Sequence, residues 1–193
     1  MIPEAPLAIS RFKLEASDLR LLTVGRLSTT KRVPLLIETV SLLRARGHRV
    51  HLTIAGGGSL ESQLRQSLSA QDLREAVTVL GYCRAEDMPR LYRQHDVYVG
   101  ASMQEGMSNA MLEAMASGLP IVTTRCEGVD ELIANNGIVV EEPTASVLAD
   151  AVQNLLERSE IRKAMAVAAR KKAEGFGWDL VAQSYLQLYA KII

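Results

Sequence analysis

The sequence predicts an α/β protein built on a doubly wound, parallel, six-stranded sheet. Three observations carry that expectation. Six short apolar or alternating runs of strand length are separated by stretches with helical periodicity, the pattern of a parallel sheet with crossover helices. Several of these runs end at a glycine or run into a polar loop, so the loops after the strands gather on one rim, where such sheets hold ligands. The 193 residues are 48% hydrophobic and only 4% aromatic. That suffices for one substantial core made of Leu, Val, Ile, Ala and Met.

Taken in order, residues 1–18 contain Pro3 and Pro6 with weak periodicity and are expected to be a linker or edge segment; 19–193 form the domain. Leu19–Val24 (LRLLTV) reads as a buried strand closed by Gly25. A helix follows over Val33–Arg46, with Leu36, Val40 and Leu43 on one face and Gly47 as its stop. Arg49–Ala55 alternates and is the second strand. Gly56-Gly57-Gly58-Ser59 then turns into a helix over Leu60–Leu68; it is no GxGxxG, because Glu61 stands three places after Gly58, and a tight turn is the preferred reading. Ala76–Leu80 is the third strand, Glu86–Arg93 a short helix and Asp96–Val99 the fourth strand. Pro120–Thr124 is the fifth, Glu127–Ile133 a short helix, Asn136-Gly137 a turn and Ile138–Val140 the sixth strand. Three helices end the chain, near Ser146–Glu157, Glu160–Glu174 and Trp178–Ala190.

The stretch Ala101–Pro120 (ASMQEGMSNAMLEAMASGLP) is organised as loop, helix and stop. Gly106 offers unusual backbone freedom, Ser108 or Asn109 is the N-cap, Ala110–Ala116 are strong helix formers, and Gly118 with Pro120 ends the run. Its apolar composition predicts a buried helix, which makes Glu105 and Glu113 conspicuous, since buried carboxylates need partners. Eight helical steps separate them by ~12 Å and ~80° about the axis, so they do not share a face. With Glu105 in the loop, the helix N-terminus lies between the two carboxylates, and its N–H groups and dipole favour a phosphate. Carboxylate, anion site and carboxylate in line match a nucleotide sugar, with sugar hydroxyls at one end and ribose at the other. The alternative is an ordinary buried helix whose Glu is salt-bridged elsewhere. Arg26 and Lys31, five residues apart, either grip one diphosphate or are two solvated loop cations.

Composition excludes several classes. Lys+Arg and Asp+Glu are both 22, so the chain lacks the basic excess of a general nucleic-acid binder. Cys83 and Cys126 have no metal-site spacing and are expected to be reduced thiols of a cytoplasmic protein. His48, His51 and His95 form no metal motif and are expected at the surface or at strand ends. No apolar run approaches the ~18 residues of a membrane span, and residues 1–18 lack the basic start and apolar core expected of a signal peptide.

Glu105-Gly106…Glu113-Ala114-Met115-Ala116-Ser117-Gly118-Leu119-Pro120 resembles the EGxxxxxxEAMAxGxP signature of retaining glycosyltransferases with the GT-B fold, glycosyltransferase family 4. Val24-Gly25-Arg26-Leu27…Lys31 resembles the same family's VGRL…K segment, where Arg and Lys contact the donor diphosphate. The residue after that Lys is often Gly and is Arg32 here, a departure that bears on loop geometry and not on charge. Where the family usually has GxGP, this chain has Gly56-Gly57-Gly58-Ser59. Val79–Cys83 resembles the segment bordering the nucleotide base, with Tyr82 either packing or stacking. Trp178 and Asp179 resemble the family's structural terminal helix. The ordered matches run from about Val24 to Tyr189.

The resemblance implies a Rossmann-like domain, the C-terminal, donor-binding half of a GT-B enzyme that transfers a sugar from a nucleoside diphosphate to an acceptor hydroxyl. Glu105 takes the catalytic position beside the sugar and Glu113 the ribose, as separable roles. Arg26, Lys31, Gly56, Tyr82 and Cys83 are implied donor contacts. So are Gly106, Met107, Ser108, Asn109 and Ala110 at the helix start. No metal or other cofactor is expected. The partner is a nucleotide sugar, with no nucleic acid and no transmembrane segment. The acceptor, and any peripheral membrane contact, fall to an N-terminal domain missing from this chain, so the isolated domain is expected to be inactive. A nucleotide-sugar epimerase of the same fold and a non-catalytic nucleotide-binding module are the alternatives.

Overall fold

The computed structural model describes residues 18–70 and 73–191. All but the last residue of the expected linker therefore lies outside the described residues. Six strands form one sheet in the order β3-β2-β1-β4-β5-β6. They are β1 (Leu19–Val24), β2 (Val50–Ala55), β3 (Val77–Gly81), β4 (Val97–Gly100), β5 (Ile121–Thr124) and β6 (Gly137–Val140). Every pairing is parallel. Strand β1 runs beside β2, with Leu19 opposite Val50 and Val24 opposite Ala55. On its other edge Leu21 lies opposite Val97 of β4. The chain thus grows outward one way from β1, then returns to β4 and grows the other way. That reversal opens a crevice beyond the ends of β1 and β4.

The helices are α1 (Val33–Ala45), α2 (Glu61–Ala70), α3 (Met88–Arg93), α4 (Asn109–Ala116), α5 (Val129–Leu132), α6 (Ala145–Glu157), α7 (Ser159–Ala173) and α8 (Trp178–Tyr189). Side chains alternate across the sheet, as the strand period requires. Leu21, Leu52, Ile54, Val97 and Val99 share one core with α1, α2 and α6. Leu22, Tyr98 and Ile121 share the other with α3, α4, α5 and Ala169 of α7. Each fully buried leucine contributes about 1.5–3 kcal/mol, and Leu22, Leu43, Leu52 and Leu91 have no exposed surface. Helix α5 is shorter than the sequence predicts, because Gly128 adopts the left-handed conformation just before it (φ 74°).

Helix α8 leaves its large apolar side chains uncovered. Trp178 is 87% exposed, and Leu180, Tyr185, Leu186, Leu188 and Tyr189 are exposed with it. Among the described residues no helix is long and apolar enough to cross a membrane.

Two histidines lie at strand ends, one of the two places expected, but not at the surface: His51 is the second residue of β2 and His95 stands just before β4. His51 and His95 are buried, and each spans the core between a carbonyl and a threonine. His51 lies between Glu75 O (3.1 Å) and Thr78 Oγ1 (2.9 Å). His95 lies between Leu91 O (2.7 Å) and Thr53 Oγ1 (2.8 Å). A ring N–H donating to the carbonyl leaves the other nitrogen to accept the hydroxyl, which is the neutral tautomer. Burial pushes both pKa values down, that of His95 to about 4. Between pH 6.5 and about 4 the unfolded chain therefore binds protons that the native protein refuses, and stability falls with pH across that window. For His95 the loss is about 3 kcal/mol, with no further loss once the native ring also protonates. Urea unfolding at stepped pH should reveal the slope, and His95→Gln should flatten it. An equal slope in the variant would exclude His95 as its source.

Candidate functional site

The rim of the crevice begins with two loops laid backbone on backbone. Gly25 N donates to Ala55 O (3.0 Å), Leu27 N to Gly57 O (3.0 Å) and Gly56 N to Gly81 O (2.7 Å). A Cβ at Gly56 would fall 1.9 Å from Gly25 O, and one at Gly58 2.5 Å from Leu27 O. The glycine run is thus a close-approach device, in agreement with the turn reading. It fixes where the β1 loop leaves the sheet, and buried Leu27 anchors that loop. Arg26 beside it is exposed. The chain then makes a 3-10 turn over Thr29–Lys31 and passes through Arg32 into α1.

The loop after β4 meets this segment from across the crevice. Met103 N donates to Thr30 O (2.8 Å). Lys31 Nζ pairs with Glu105 Oε2, and these side chains are only 25% and 16% exposed. Two residues assigned to separate tasks from sequence, one for the diphosphate and one for the sugar, are therefore ion-paired at the switch point. Beneath them Tyr98 is buried, its hydroxyl 3.4 Å from Val24 O. Burial first, then Glu105, raises the Tyr98 pKa above the ordinary phenol range and keeps it protonated.

Helix α4 starts beside Glu105. Ser108, not Asn109, is the N-cap, accepting from Met111 N (3.4 Å), and it is 3% exposed. At the other end Gly118 N bonds Met115 O and Leu119 N bonds Ala114 O, with Gly118 left-handed (φ 76°); this pairing caps the helix. The first-turn N–H groups, from Asn109 and Ala110, have no intrahelical acceptor. Gly106 corrects the expectation of special backbone freedom: its φ is not positive, and a Cβ there would meet nothing within 4 Å. Its carbonyl instead packs against Gly128. Met107, at 52% exposure, faces outward.

Glu113 also corrects the sequence reading. Helix α4 buries Met111, Ala114 and Met115, and Glu113 lies on the exposed side. It is held there by a residue that sequence reasoning missed. Tyr92 of α3, 1% exposed, donates its hydroxyl to Glu113 Oε2 at 2.9 Å. Burial and the adjacent Glu113 drive the Tyr92 pKa far above the ordinary phenol value, so it remains a donor. Only its polar end on the otherwise apolar face of α3 marks it in the sequence. At the end of β3, Tyr82 is 78% exposed, which excludes a packing role. Cys83 is half-buried, with its thiol 3.6 Å from Gly81 O and its pKa raised mainly by burial.

The rim thus pairs Lys31 with Glu105 close in sequence to the capped start of α4, the helix that carries Glu113. The sequence profile described as glycosyl transferases group 1 matches residues 8–172. The chain belongs to the group 1 glycosyl transferase family. It is 32% identical over 177 residues to the amylovoran biosynthesis glycosyltransferase AmsK of Erwinia amylovora, matching 85% of this chain and 44% of that protein. Against the D-inositol 3-phosphate glycosyltransferase of Arthrobacter sp. it is 30% identical over 190 residues, 95% of this chain and 45% of the relative. The chain therefore spans less than half the length of these relatives. Its fold superimposes on the pneumococcal O-GlcNAc transferase GtfA, solved with UDP and GlcNAc, with a TM-score of 0.81 at 22% identity, over 90% of this chain and 36% of that one. The C-terminal domain of the group 1 protein LpcC from Francisella tularensis gives a TM-score of 0.71 at 24% identity, with 86% of both chains covered.

A groove of about 860 Å³ between α1 and α2 is lined by apolar residues such as Leu35, Ile37 and Leu64 and equally by polar ones such as Arg32, Glu38 and Gln63, and includes none of Lys31, Glu105 and Glu113.

Proposed function

We propose that this chain is the donor-binding half of a retaining GT-B glycosyltransferase of family 4, which moves a sugar from a nucleoside diphosphate to an acceptor hydroxyl. The observation that carries the reading is the Lys31–Glu105 pair at the β1/β4 switch point, beside the capped N-terminus of α4. In this reading the diphosphate lies between Lys31, exposed Arg26 and the first turn of α4, where charge on the departing phosphate is stabilised. The bond from the anomeric carbon to the diphosphate oxygen breaks as the acceptor hydroxyl oxygen bonds to that carbon from the same face, and the hydroxyl proton passes to the departing phosphate oxygen. Glu105 turns from Lys31 to the sugar hydroxyls and is the group nearest the reacting centre. Glu113, steadied by Tyr92, accepts hydrogen bonds from the ribose. Exposed Tyr82 offers a face to the base, with Cys83 and the Gly56 turn bordering it. Met107 and Ser108–Ala110 form the floor of the diphosphate subsite.

Charge neutralisation by Arg26, Lys31 and the helix asks for no metal ion. The acceptor site is assigned to the half of the enzyme that the longer relatives have and this chain does not span. The two free, half-buried thiols, Cys83 and Cys126, fit a reducing compartment such as the cytoplasm. Calorimetric titration with UDP, GDP and ADP and their hexose conjugates tests the reading. One nucleotide series is expected to bind with Kd on the order of 0.1–1 mM, about 4–5.5 kcal/mol. Binding should weaken with salt and be unaffected by a chelator. No binding by any series at millimolar concentration would contradict the assignment, and an absolute need for magnesium would contradict its metal-free part.

A further inference from the structure

We propose that Arg32 is a positioning residue that fixes the β4–α4 loop and so aims Glu105; this rests on the donor-site reading above. Arg32 is the only non-glycine among the described residues with a positive φ (45°, with ψ 39°). A left-handed backbone is strained for an arginine and unstrained for a glycine. The strain coincides with a specific set of bonds. Arg32 Nε donates to Ala101 O (2.6 Å), and Nη2 donates to Thr124 Oγ1 (3.0 Å) and, more weakly, to Ser102 O (3.4 Å). Thr124 Oγ1 in turn donates to Ser102 O (3.3 Å). Ala101, Ser102 and Thr124 are all buried, so their polar groups have little water to replace this fork.

The fork is part of a larger template. Ala101 O and Ser102 O are held by Arg32, Met103 N by Thr30 O, and Glu105 by Lys31. The entire approach to Glu105 is thus laid against three consecutive residues of the β1 loop. A backbone outlier held by its surroundings at a ligand site is a known form of preorganisation. Among the described residues the partners of Arg32 are carbonyls and a hydroxyl, not a carboxylate, which suits a role in shaping backbone. Removing the guanidinium would leave the diphosphate subsite of Lys31 and α4 in place but let the Glu105 loop wander.

The test uses Arg32→Gly and Arg32→Lys in the full 193-residue chain. Amide exchange of the free protein is followed over residues 101–108, and affinity is measured for UDP against UDP-glucose and GDP against GDP-mannose. In both variants exchange in that segment should rise roughly tenfold or more, and Arg32→Gly, which relieves the left-handed backbone as it loses the fork, should melt nearer the parent than Arg32→Lys. The bare diphosphate should bind within about threefold of the parent, while the nucleotide sugar loses severalfold more. A merely structural arginine would instead weaken both ligands in equal proportion, and that result, or unchanged exchange over 101–108, overturns the proposal. Should Arg32→Gly fail to fold, Arg32→Lys supplies the same readouts, since it keeps the charge and loses the fork. If the parent binds no nucleotide, the donor-site reading fails and the exchange data alone decide whether Arg32 fixes the loop.

Discussion

A Gly56→Ala protein is expected to lose about 3–5 kcal/mol of stability, from overpacking against backbone together with a backbone conformation that suits only glycine. The new methyl would lie 1.9 Å from Gly25 O and 2.8 Å from Gly25 C. Neither atom belongs to a flexible side chain. Both sit in a segment pinned by Gly25 N to Ala55 O and Leu27 N to Gly57 O. The φ of 136° adds strain that no rotamer change relieves. Domains of this kind are stable by only about 5–15 kcal/mol, so a fifth of the total or more is at risk. Because the same contact sets the exit of the Arg26–Lys31 loop, the surviving folded fraction should also bind nucleotide poorly. Gly106→Ala is the matched control: the methyl meets nothing and φ is ordinary, so its effect should stay within about 0.5 kcal/mol. Urea unfolding of both variants checks the pair, and equal stabilities would refute the close-approach account.

Lys31→Ala is expected to act on stability and on binding at once. Glu105 is 16% exposed, so losing its cation strands a half-buried carboxylate. With one end of the pair partly wet, a loss of about 1–2 kcal/mol is expected. The diphosphate loses its point charge as well, and its affinity should fall about tenfold or more, as for a hydrogen bond to a charged group. Glu105→Gln should do something different. It releases Lys31 from its internal partner, so bare diphosphate should bind as well as in the parent, or more tightly. Melting curves and titrations of the two variants test this. Unchanged diphosphate affinity in Lys31→Ala would remove Lys31 from the site.

Much of the fold was legible because local chemistry punctuates it. Gly25, Gly47, Gly81 and Gly118 close elements close to where their sequence places them, and the β-rich alternation of β2 leaves no doubt about its type. The phase of α4 was harder to read. Its composition is apolar nearly throughout, so burial is the natural expectation for Glu113, yet only the stripe of Met111, Ala114 and Met115 turns inward. The Lys31–Glu105 pair depends on β1 lying beside β4, a neighbour relation between residues 74 apart in sequence that no local pattern encodes. The same holds for Tyr92 and Glu113 and for the buried histidines, whose threonine partners are set by sheet register and strand order. Arg32 was visible only as an arginine where glycine is common. Its reach to the carbonyls of Ala101 and Ser102 is set by tertiary geometry that the loop sequence does not encode.

The central claim is that the two carboxylates flanking the start of α4 serve different ends of one ligand. Calorimetry on the parent, Glu105→Gln and Glu113→Gln, each titrated with a nucleoside diphosphate and with its sugar conjugate, tests it most directly. Glu113 is exposed and held by Tyr92, so Glu113→Gln should leave the melting temperature nearly unchanged and weaken both ligands about tenfold. Glu105→Gln should spare the bare diphosphate and weaken only the sugar conjugate. If Glu105→Gln weakens the bare diphosphate as much as Glu113→Gln does, the placement of the ligand along the rim is wrong.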